Sequence, residues 1–387
     1  MIKSFFIRFK GISFLIFLIA ILPDFINNSK LNFCLQLLAK PIYKILNTKT
    51  IGSDSKEMYQ LIFLSAIISF IISLIWILKL KNKTYKNEEM SNWLTSIYSY
   101  TLSFFLFVYG FNKLFKLQFF IPEPNTLYTP VGLLSKDILF WTSMGSSYSY
   151  NVFMGIIEVV PACLLLFRRT RKLGGLISLA VLINVFMINI GFDISVKILS
   201  LFLICLSLFV LKPYSSDLIS FFFIEKKLNS NHSIPLVKST KQIIFKNSII
   251  CLIFFETLSP YFISNNFNDD LQKRSLIYGA YEVIQSIKEN QISIIGNSKD
   301  IKRLFIHRRN YFIIQYQDDT MKDYLIKNDS AKNKLTIITE KGNCELKISQ
   351  NNILIIDKNK ITLLTTKKLN IGELPLLKKS FHLISEI

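Results

Sequence analysis

The chain has 387 residues, of which 51% are hydrophobic and 34 are phenylalanine, and its mean hydropathy is +0.38. A soluble domain of this length rarely has such a balance, so the composition indicates a membrane protein rather than a soluble enzyme. The net charge of +20 is then first a signal of membrane orientation, and it does not support nucleic-acid binding. The five cysteines show neither zinc-like nor Cys-x-x-Cys spacing, so the sequence predicts no metal site and no disulfide framework.

Seven apolar runs predict membrane-spanning helices. In chain order they are a first run ending at Leu22, then Tyr59–Leu80, about Trp93–Lys113, Asn151–Phe167, Leu173–Ile190, Ile198–Leu211 and Phe245–Ile263. The first run has a basic start and is also compatible with a signal peptide, but no small-x-small cleavage site follows it. We therefore expect a retained first helix. Residues 31–47 are amphipathic and interrupted by Pro41, which predicts a helix that lies in the membrane interface.

Lysine and arginine collect in alternate connections between these runs. If the N-terminus is cytoplasmic, the cytoplasmic segments are 1–10, 81–92, 168–172 and 212–246, and these are the basic ones. Because positive charge is retained on the cytoplasmic side, this distribution predicts the orientation of the whole chain. The expected location is the bacterial inner membrane, with a cytoplasmic N-terminus and a periplasmic C-terminal domain.

The chain changes in character from about Asn265. Short β-branched segments such as KLTIITE and NILIID alternate with polar turns, which predicts a small antiparallel β domain. The segment Lys116–Tyr150 is too polar to span and too long for a tight turn, so we expect it to pack over the helix bundle. The predicted divisions are membrane helices with the interfacial helix (1–92), a four-helix membrane core (93–213), a basic linker with the last helix (214–264) and an extracytoplasmic β domain (265–387).

Charged and amide side chains interrupt the apolar runs of the core. An ionisable group in hydrocarbon costs several kcal/mol unless it is paired, hydrated or neutralised, so each requires a structural partner or a function. Glu158 lies about 10 Å from the outer end of the fourth run at 1.5 Å per residue. Asn184 lies about as deep in the fifth run, which crosses in the other direction. Antiparallel packing of the two runs would bring these side chains to one level.

Two interpretations of these residues are open. Lys113 ends the third run near the outer face, and Asp193 and Lys197 flank the outer connection of the fifth and sixth runs. The functional interpretation is an outward-facing polar pocket in which Glu158 is the catalytic residue, handling a proton or binding a ligand. The structural interpretation is that Glu158–Lys113 and Asp193–Lys197 are internal ion pairs that fix helix register, the second through its i,i+4 spacing.

Tyr109, Gln118 and Asn189 complete the predicted ligand-binding set. Tyr109 and Gln118 can donate hydrogen bonds to a quinone carbonyl, but snorkelling to the membrane interface explains them equally well. The three histidines are far apart in sequence, and no haem pair, phosphate loop or nucleophile elbow is present. The residues themselves therefore identify no cofactor.

Several motifs of the central stretch resemble the DoxX family of bacterial membrane proteins. They are YGFNKLFKLQF (Tyr109–Phe119), MGSS (Met144–Ser147), Gly155 with Glu158, LLLFRRT (Leu164–Thr170), Leu173–Gly174, and the spaced set Asn184, Val185, Asn189, Asp193, Val196, Lys197 and Ser200. The chain is most similar to a larger, Bacteroidetes-type form with flanking spans and a C-terminal β region. Pro161, Phe192 and Ser195 depart from the family pattern. The resemblance implies a DoxX-like four-helix core, and some relatives are subunits of quinone-linked or sulfur- and thiol-linked redox complexes.

The leading functional hypothesis is an integral inner-membrane protein that supports a redox or quinone-linked membrane complex. The resemblance then implies other membrane redox subunits as partners, besides the lipid bilayer, and quinone as the cofactor. One alternative is a non-catalytic membrane scaffold whose outer β domain binds a partner. Another is a small-solute or proton-coupled carrier that uses Glu158. The sequence does not decide whether the chain is an enzyme.

Overall fold

The computed structural model describes residues 2–79, 85–223, 240–288, 291–293, 300–329, 334–339, 342–349, 352–357 and 360–378. The chain divides into two units. Met1–Gln118 and Ser149–Asn268 form the first, which we call the helical unit; Phe119–Tyr148 and Asp269–Ile387 form the second, the barrel unit. Several features of the sequence analysis lie outside the described residues. They are parts of the basic segments 81–92 and 212–246, several predicted β turns, and His232 and His382.

Eleven α-helices are present among the described residues. They are α1 (Ile2–Ile21), α2 (Ser29–Ile45), α3 (Lys56–Lys79), α4 (Tyr85–Leu114), α5 (Pro124–Leu127), α6 (Lys136–Ser146), α7 (Tyr148–Leu165), α8 (Arg171–Gly191), α9 (Lys197–Leu211), α10 (Ser215–Phe223) and α11 (Thr240–Ser264). Seven stretches of the described chain, which begin with α1, α3, α4, α7, α8, α9 and α11, are long and apolar enough to cross a membrane. The prediction of about seven spans is therefore confirmed in number, length and composition, and the fold fits a multi-pass membrane protein.

The predicted interfacial segment forms α2. The side chain of Asn28 begins this helix, since its Oδ1 accepts hydrogen bonds from the backbone N–H groups of Lys30 and Leu31 at 3.1 Å each. Pro41 is accommodated inside the helix. Phe33 and Leu38 are exposed, as an amphipathic helix on a membrane surface requires.

Helix α3 has small polar residues inside and apolar residues outside. Ser65, Ser69 and Ser73 follow one another at i,i+4 spacing and are at most 2% exposed, whereas Phe63 is 69% exposed. Ser65 Oγ lies 3.3 Å from Ser13 Oγ of α1. This is the reverse of a soluble amphipathic helix and is typical of helix packing in lipid, where small residues permit close approach.

The core of the helical unit lies around α4. Leu102, Phe105 and Phe107 of this helix have no exposed side-chain surface. In the same unit, α8 and α9 are joined by the hydroxyl of Ser207, which donates to the carbonyl of Gly175 at 2.8 Å. The helices α4, α7, α8 and α9 come from the segment that resembles DoxX, and a DoxX-like core made of these four stays a prediction.

The barrel unit contains nine described strands. They are β1 (Gly279–Lys288), β2 (Gln291–Ser293), β3 (Ile301–Ile306), β4 (Tyr311–Tyr316), β5 (Met321–Asp329), β6 (Lys334–Thr339), β7 (Gly342–Ile348), β8 (Asn352–Asp357) and β9 (Lys360–Leu369). Strands β3 to β9 form an antiparallel meander, as the sequence predicted. Strand β1 pairs with β3 and also with β9, in the register Ala280↔Leu369, so that eight strands close into a barrel. The short β2 extends the β1 edge.

Side chains alternate between the inside and the outside of this barrel, as strand geometry requires. Leu304, Phe312, Ile353 and Leu364 belong to the main buried cluster and have no exposed surface. Phe305, next to Leu304, belongs to a second buried cluster on the opposite face of the sheet, together with Ala280 and Ile313.

The segment between α4 and α7 covers that second cluster. The ring of Tyr128 stacks on Phe305 with centroids 5.9 Å apart, and the amide of Gln315 donates to the Tyr128 carbonyl at 3.2 Å. Gly145 packs directly against the Phe120 carbonyl, where a Cβ atom would clash. This segment, which we expected to pack over the helix bundle, belongs to the barrel unit and packs on the barrel, because Phe305 and its neighbours form an apolar outer surface that requires a cover.

Candidate functional site: a buried lysine–glutamate pair

The candidate site depends on a close approach of α4 and α7. A Cβ atom at Gly110 would lie 2.7 Å from Cγ2 of Val159 and 3.1 Å from the carbonyl oxygen of Gly155. A Cβ at Gly155 would lie 2.9 Å from the Gly110 carbonyl oxygen. Further along the crossing, the hydroxyl of Ser103 donates to the Ala162 carbonyl at 2.8 Å. The contacts Ser103–Ala162 and Gly110–Gly155 run in opposite directions, so the two helices are antiparallel and nearly touch at the two glycines.

Lys113 and Glu158 each lie three residues after the glycine of their own helix. Because side chains tilt toward the N-terminus of a helix, in an antiparallel pair both lean back toward the glycine contact and toward each other. The Nζ atom of Lys113 lies 2.8 Å from Oε1 and 2.6 Å from Oε2 of Glu158. Their side chains are only 6% and 3% exposed. The expected contact between these two residues is confirmed.

Lys113 and Glu158 compensate each other's charge. Both oxygens of the Glu158 carboxylate accept hydrogen bonds from the same ammonium group, so each charge has its counter-charge. The ring of Tyr109 adds a cation–π contact, with its centroid 5.7 Å from Nζ. Removing either partner would leave the other as an uncompensated charge in the protein interior, which is strongly destabilising. Chemically, the arrangement can hold α4 and α7 in one register, and it can handle a proton only if Glu158 is released from Lys113.

Asn184 does not share this site. It is exposed, whereas Gly175, Ser178 and Leu182 of the same helix are buried. At 100° per residue, position 184 lies opposite Gly175 on α8. Depth in a span does not determine the face of a helix on which a side chain lies, and the prediction that Asn184 lies beside Glu158 is wrong.

Asp193 and Lys197 form the local ion pair that their spacing predicted. Nζ of Lys197 lies 2.7 Å from Oδ1 of Asp193, whose side chain is 81% exposed, and 4.0 Å from Oδ2 of Asp54. Asp54 also accepts hydrogen bonds from the backbone N–H groups of Lys197 and Ile198, at 2.8 and 2.9 Å. A carboxylate from the loop before α3 thus caps the N-terminus of α9, where the helix dipole favours negative charge.

The other predicted ligand-binding residues have structural surroundings. The amide of Asn189 donates to the hydroxyl of Ser200 at 3.1 Å and so joins α8 to α9. Gln118 is half-buried beyond the end of α4. Of the predicted set, the structure brings Glu158, Lys113 and Tyr109 into contact. Asn189 bonds to Ser200 of α9, and Lys197 bonds to Asp193 after α8 and to Asp54 before α3.

Glu256 of α11 is a buried carboxylate that the sequence analysis missed. It is 2% exposed, and its Oε2 accepts hydrogen bonds from the backbone N–H groups of Asn27 and Asn28 at 3.2 Å each. These bonds attach α11 to the connection between α1 and α2. The signal was present in the sequence, since Glu256 interrupts an apolar run just as Glu158 does.

A second polar network lies in the barrel unit, and sequence reasoning missed it as well. Arg308 binds the carboxylates of Glu123 and Asp269, and its Nη2 donates to the Ile121 carbonyl at 3.0 Å. Burial raises the pKa of Glu123, although the charge of Arg308 opposes this shift. The network fastens the segment that follows α4 to the barrel. Glu123 and Arg308 are 185 residues apart, so local sequence patterns contain no signal for the pair.

The described residues contain no group of three or more His, Cys, Asp or Glu placed to hold a metal ion. Fold and site together define a multi-pass helical membrane protein with an internally neutralised ion pair and an antiparallel β-barrel. Over 110 residues, 28% of its length, the chain is 36% identical to "Uncharacterized protein YwoB" of Bacillus subtilis (strain 168), and the match covers 70% of that protein. The chain therefore belongs to the same family as this Bacillus protein. No family model and no solved structure matches the chain.

Proposed function

We propose that this protein is a non-catalytic scaffold subunit of the bacterial inner membrane that supports a redox or quinone-linked membrane complex. The observation that carries the scaffold role is the closed pair of Lys113 and Glu158, in which the candidate catalytic carboxylate is fully engaged by a lysine. The resemblance to DoxX supports the redox setting of the complex. In this role the helical unit anchors the protein, and the barrel unit offers a surface for partner subunits.

The proposed orientation has support in the helical unit, because basic residues from several connections lie at one end of it. Arg8 of α1 donates to Asn87 at the start of α4 at 3.1 Å. Lys246 of α11 lies 5.0 Å from the ring of Phe167, which directly precedes the arginines between α7 and α8. We place this basic end in the cytoplasm, because positive charge is retained there.

A proton-coupled carrier is the second candidate, and the burial of Glu158 favours it. A carboxylate deep in an apolar span is typical of proton relays. Protonation of Glu158 would weaken its attraction to Lys113 and loosen the α4–α7 contact. The two candidates therefore make opposite predictions for a neutral residue at position 158.

A double-mutant cycle in the full chain separates them. We expect Glu158→Gln and Lys113→Met each to lower the free energy of unfolding in mixed micelles by about 3 kcal/mol, because each leaves a buried charge without its partner. The combined variant should lose clearly less than the sum of the two single losses. The control is Asn184→Ala at an exposed position of α8, with an expected change within about 0.5 kcal/mol.

The carrier would give a different result. In that case Glu158→Gln would abolish proton-coupled uptake by proteoliposomes while the free energy of unfolding stayed near the wild-type value. A second measurement is the quinone content and optical spectrum of the purified chain. Stoichiometric quinone that is lost in the Glu158→Gln variant would contradict a non-catalytic role.

A further inference from the structure

A cavity of about 510 Å³ opens in the helical unit between the starts of α1 and α4 and the end of α9. Three lysines from two separate parts of the chain line it: Lys3, Lys10 and Lys212. Two polar residues of α4, Ser91 and Asn92, lie beside them. We call this the three-lysine cavity. It lies at the basic end of the helical unit, and its lining residues on α4 precede Lys113 by 15 residues or more.

The three lysines of the cavity lie close together without forming an ion pair in the part of the chain that the structure describes. The positive charges of Lys10 and Lys212 repel each other. Among the described residues, none of the three lysines forms a salt bridge, and the nearby carboxylate of Asp217 lies 3.8 Å from Lys172 instead. Lysines that only determine the orientation in the membrane have their charges hydrated by water, and they need not lie close together. Here they converge on one concave surface, so an anion supplied from outside would relieve the repulsion.

The remaining walls of the cavity are apolar. Phe6, Ile7, Leu94, Tyr98 and Phe209 contribute to its lining. The ring centroid of Phe209 lies 4.9 Å from Nζ of Lys10. Free inorganic phosphate has no apolar part that could contact these walls, whereas a phospholipid has an anionic phosphate with hydrocarbon chains attached. The cavity also lies where spans begin and end, which is the depth of lipid headgroups.

We propose that the three-lysine cavity binds the phosphate group of an anionic phospholipid. Lys10 and Lys212 contact the phosphate oxygens, with Lys3 at the exposed side of the cavity. The side chains of Ser91 and Asn92 offer hydrogen bonds to a polar headgroup such as glycerol. Phe6 and Phe209 contact the first methylenes of the acyl chains. Basic pockets between membrane helices on the cytoplasmic side bind phosphorylated headgroups in the same way.

The test uses the full chain in neutral detergent. It is titrated with phosphatidylglycerol or, for comparison, with phosphatidylcholine that has the same acyl chains. Native mass spectrometry counts the lipid molecules bound. The wild type is expected to prefer phosphatidylglycerol. The pair Lys10→Gln and Lys212→Gln should weaken phosphatidylglycerol binding about thirty-fold, at roughly five-fold per lysine near a membrane surface. The charge-conserving pair Lys10→Arg and Lys212→Arg should retain binding, which also shows that the cavity tolerates substitution.

A matched control removes the same charge outside the cavity. Arg168 and Arg169 are exposed and lie at the same end of the helical unit, so Arg168→Gln with Arg169→Gln should leave the lipid preference unchanged. Equal loss in this control, or unchanged binding after the loss of Lys10 and Lys212, would overturn the proposal. Inorganic phosphate at millimolar concentration should not displace the lipid; full displacement would refute a lipid as the source of the phosphate.

Phe209→Ala should weaken lipid binding, and an unchanged affinity would count against the apolar contact.

Discussion

At the scale of single residues, buried charged groups in the helical unit are stabilised in three different ways. Glu158 uses an opposite charge, Lys113. Glu256 uses backbone N–H groups. Arg8, 7% exposed, donates to the Ser4 carbonyl at 2.9 Å and lies 5.4 Å from the ring of Trp76. Each arrangement compensates for the loss of water around a charge, and each also fixes the position of one helix against its neighbour.

His307 of the barrel unit is a residue whose charge changes within a measurable pH range. Burial and the charges of Arg308 and Arg309 lower the pKa of His307 to about 4. The Glu123 carboxylate lies 3.6 Å from Nε2 of His307 and by itself would favour the charged ring. The negative charge of Glu123 is, however, already paired with Arg308. Nδ1 accepts a hydrogen bond from the backbone N–H of Arg309 at 3.1 Å, which requires an unprotonated Nδ1. The neutral ring is therefore the form that the fold stabilises.

We predict that acid destabilises the barrel through His307. Because the folded pKa lies below the ordinary value of 6.5, the unfolded state binds more protons between pH 6.5 and about 4, and stability falls as the pH drops through this window. The loss should reach on the order of 3 kcal/mol at pH 4, since each pKa unit corresponds to about 1.4 kcal/mol. Hydrogen exchange of β3 and β4 in the full chain measures it.

The control for this experiment is His307→Asn, which keeps an acceptor for the Arg309 N–H but has no titrating ring. Other carboxylates titrate in the same window in both proteins, so the difference between the two isolates the histidine. Parallel pH profiles of the wild type and the variant would show that His307 is not the cause.

At the scale of elements, helix pairs in the helical unit are defined by small residues. The serine series of α3 faces inward, with Ser65 against α1, and Gly110 of α4 faces Gly155 of α7. Close backbone approach is favourable in lipid because association depends on van der Waals contact and interhelical hydrogen bonds rather than on the hydrophobic effect. The glycine contact also brings Lys113 within reach of Glu158.

We predict that Gly155→Ala destabilises the helical unit by about 1–3 kcal/mol, because the added methyl group would clash with Leu114 and with the Gly110 carbonyl. The unfolding of the full chain in mixed micelles measures the effect. The control is Gly191→Ala in α8, where no atom lies within 4 Å of the added Cβ. This second change should be neutral or slightly stabilising, since alanine is the better helix former. Equal effects of the two substitutions would contradict a close α4–α7 contact.

At the scale of the whole molecule, each unit is built from two separated parts of the chain. The segment Phe119–Tyr148 leaves the helical unit after α4 and joins the barrel unit, and α7 returns to the helical unit. The contacts of Glu123 and Tyr128 with the barrel then hold a segment that would otherwise be a long loop. On the proposed orientation this segment and the barrel are both periplasmic, because α4 ends and α7 begins on that side.

The orientation predicts where reporter fusions are active. A reporter after Arg171 should be cytoplasmic, and one after Ile387 should be periplasmic, because α8, α9 and α11 cross the membrane between them. Paired alkaline phosphatase and green fluorescent protein fusions measure this. A fusion after Asp193, in the connection of α8 and α9, is the matched control and should agree with the one after Ile387. Signals on one side for Arg171 and Ile387 would refute the orientation, and a periplasmic signal after Arg171 would place the three-lysine cavity on the other face of the membrane.

The sequence by itself determined the features that depend on neighbours along the chain. Apolar runs of sufficient length gave the seven spans, because a helix satisfies its own backbone hydrogen bonds and needs only an apolar surface to cross a membrane. Short β-branched segments separated by polar turns predicted an antiparallel meander from the residues of β6 to β9, because this pattern also depends only on neighbours along the chain. The Asp193–Lys197 pair also joins near neighbours in sequence, although it forms across the non-helical connection of α8 and α9 and not on one helix face. The cost of a charge in hydrocarbon marked Glu158, and the depths of the spans suggested Lys113 as its partner.

Only the tertiary structure decided the features that depend on direction and on distant partners. Depth in a span does not give the face of a helix, which is why Asn184 lies outside the site. The closure of β1 on β9 and the pairing of Glu123 with Arg308 join residues far apart in sequence. The apolar outer patch at Phe305 arises only once β1, β3 and β4 are side by side, and it decides where the segment after α4 packs. These contacts form between surfaces that exist only after the elements have assembled.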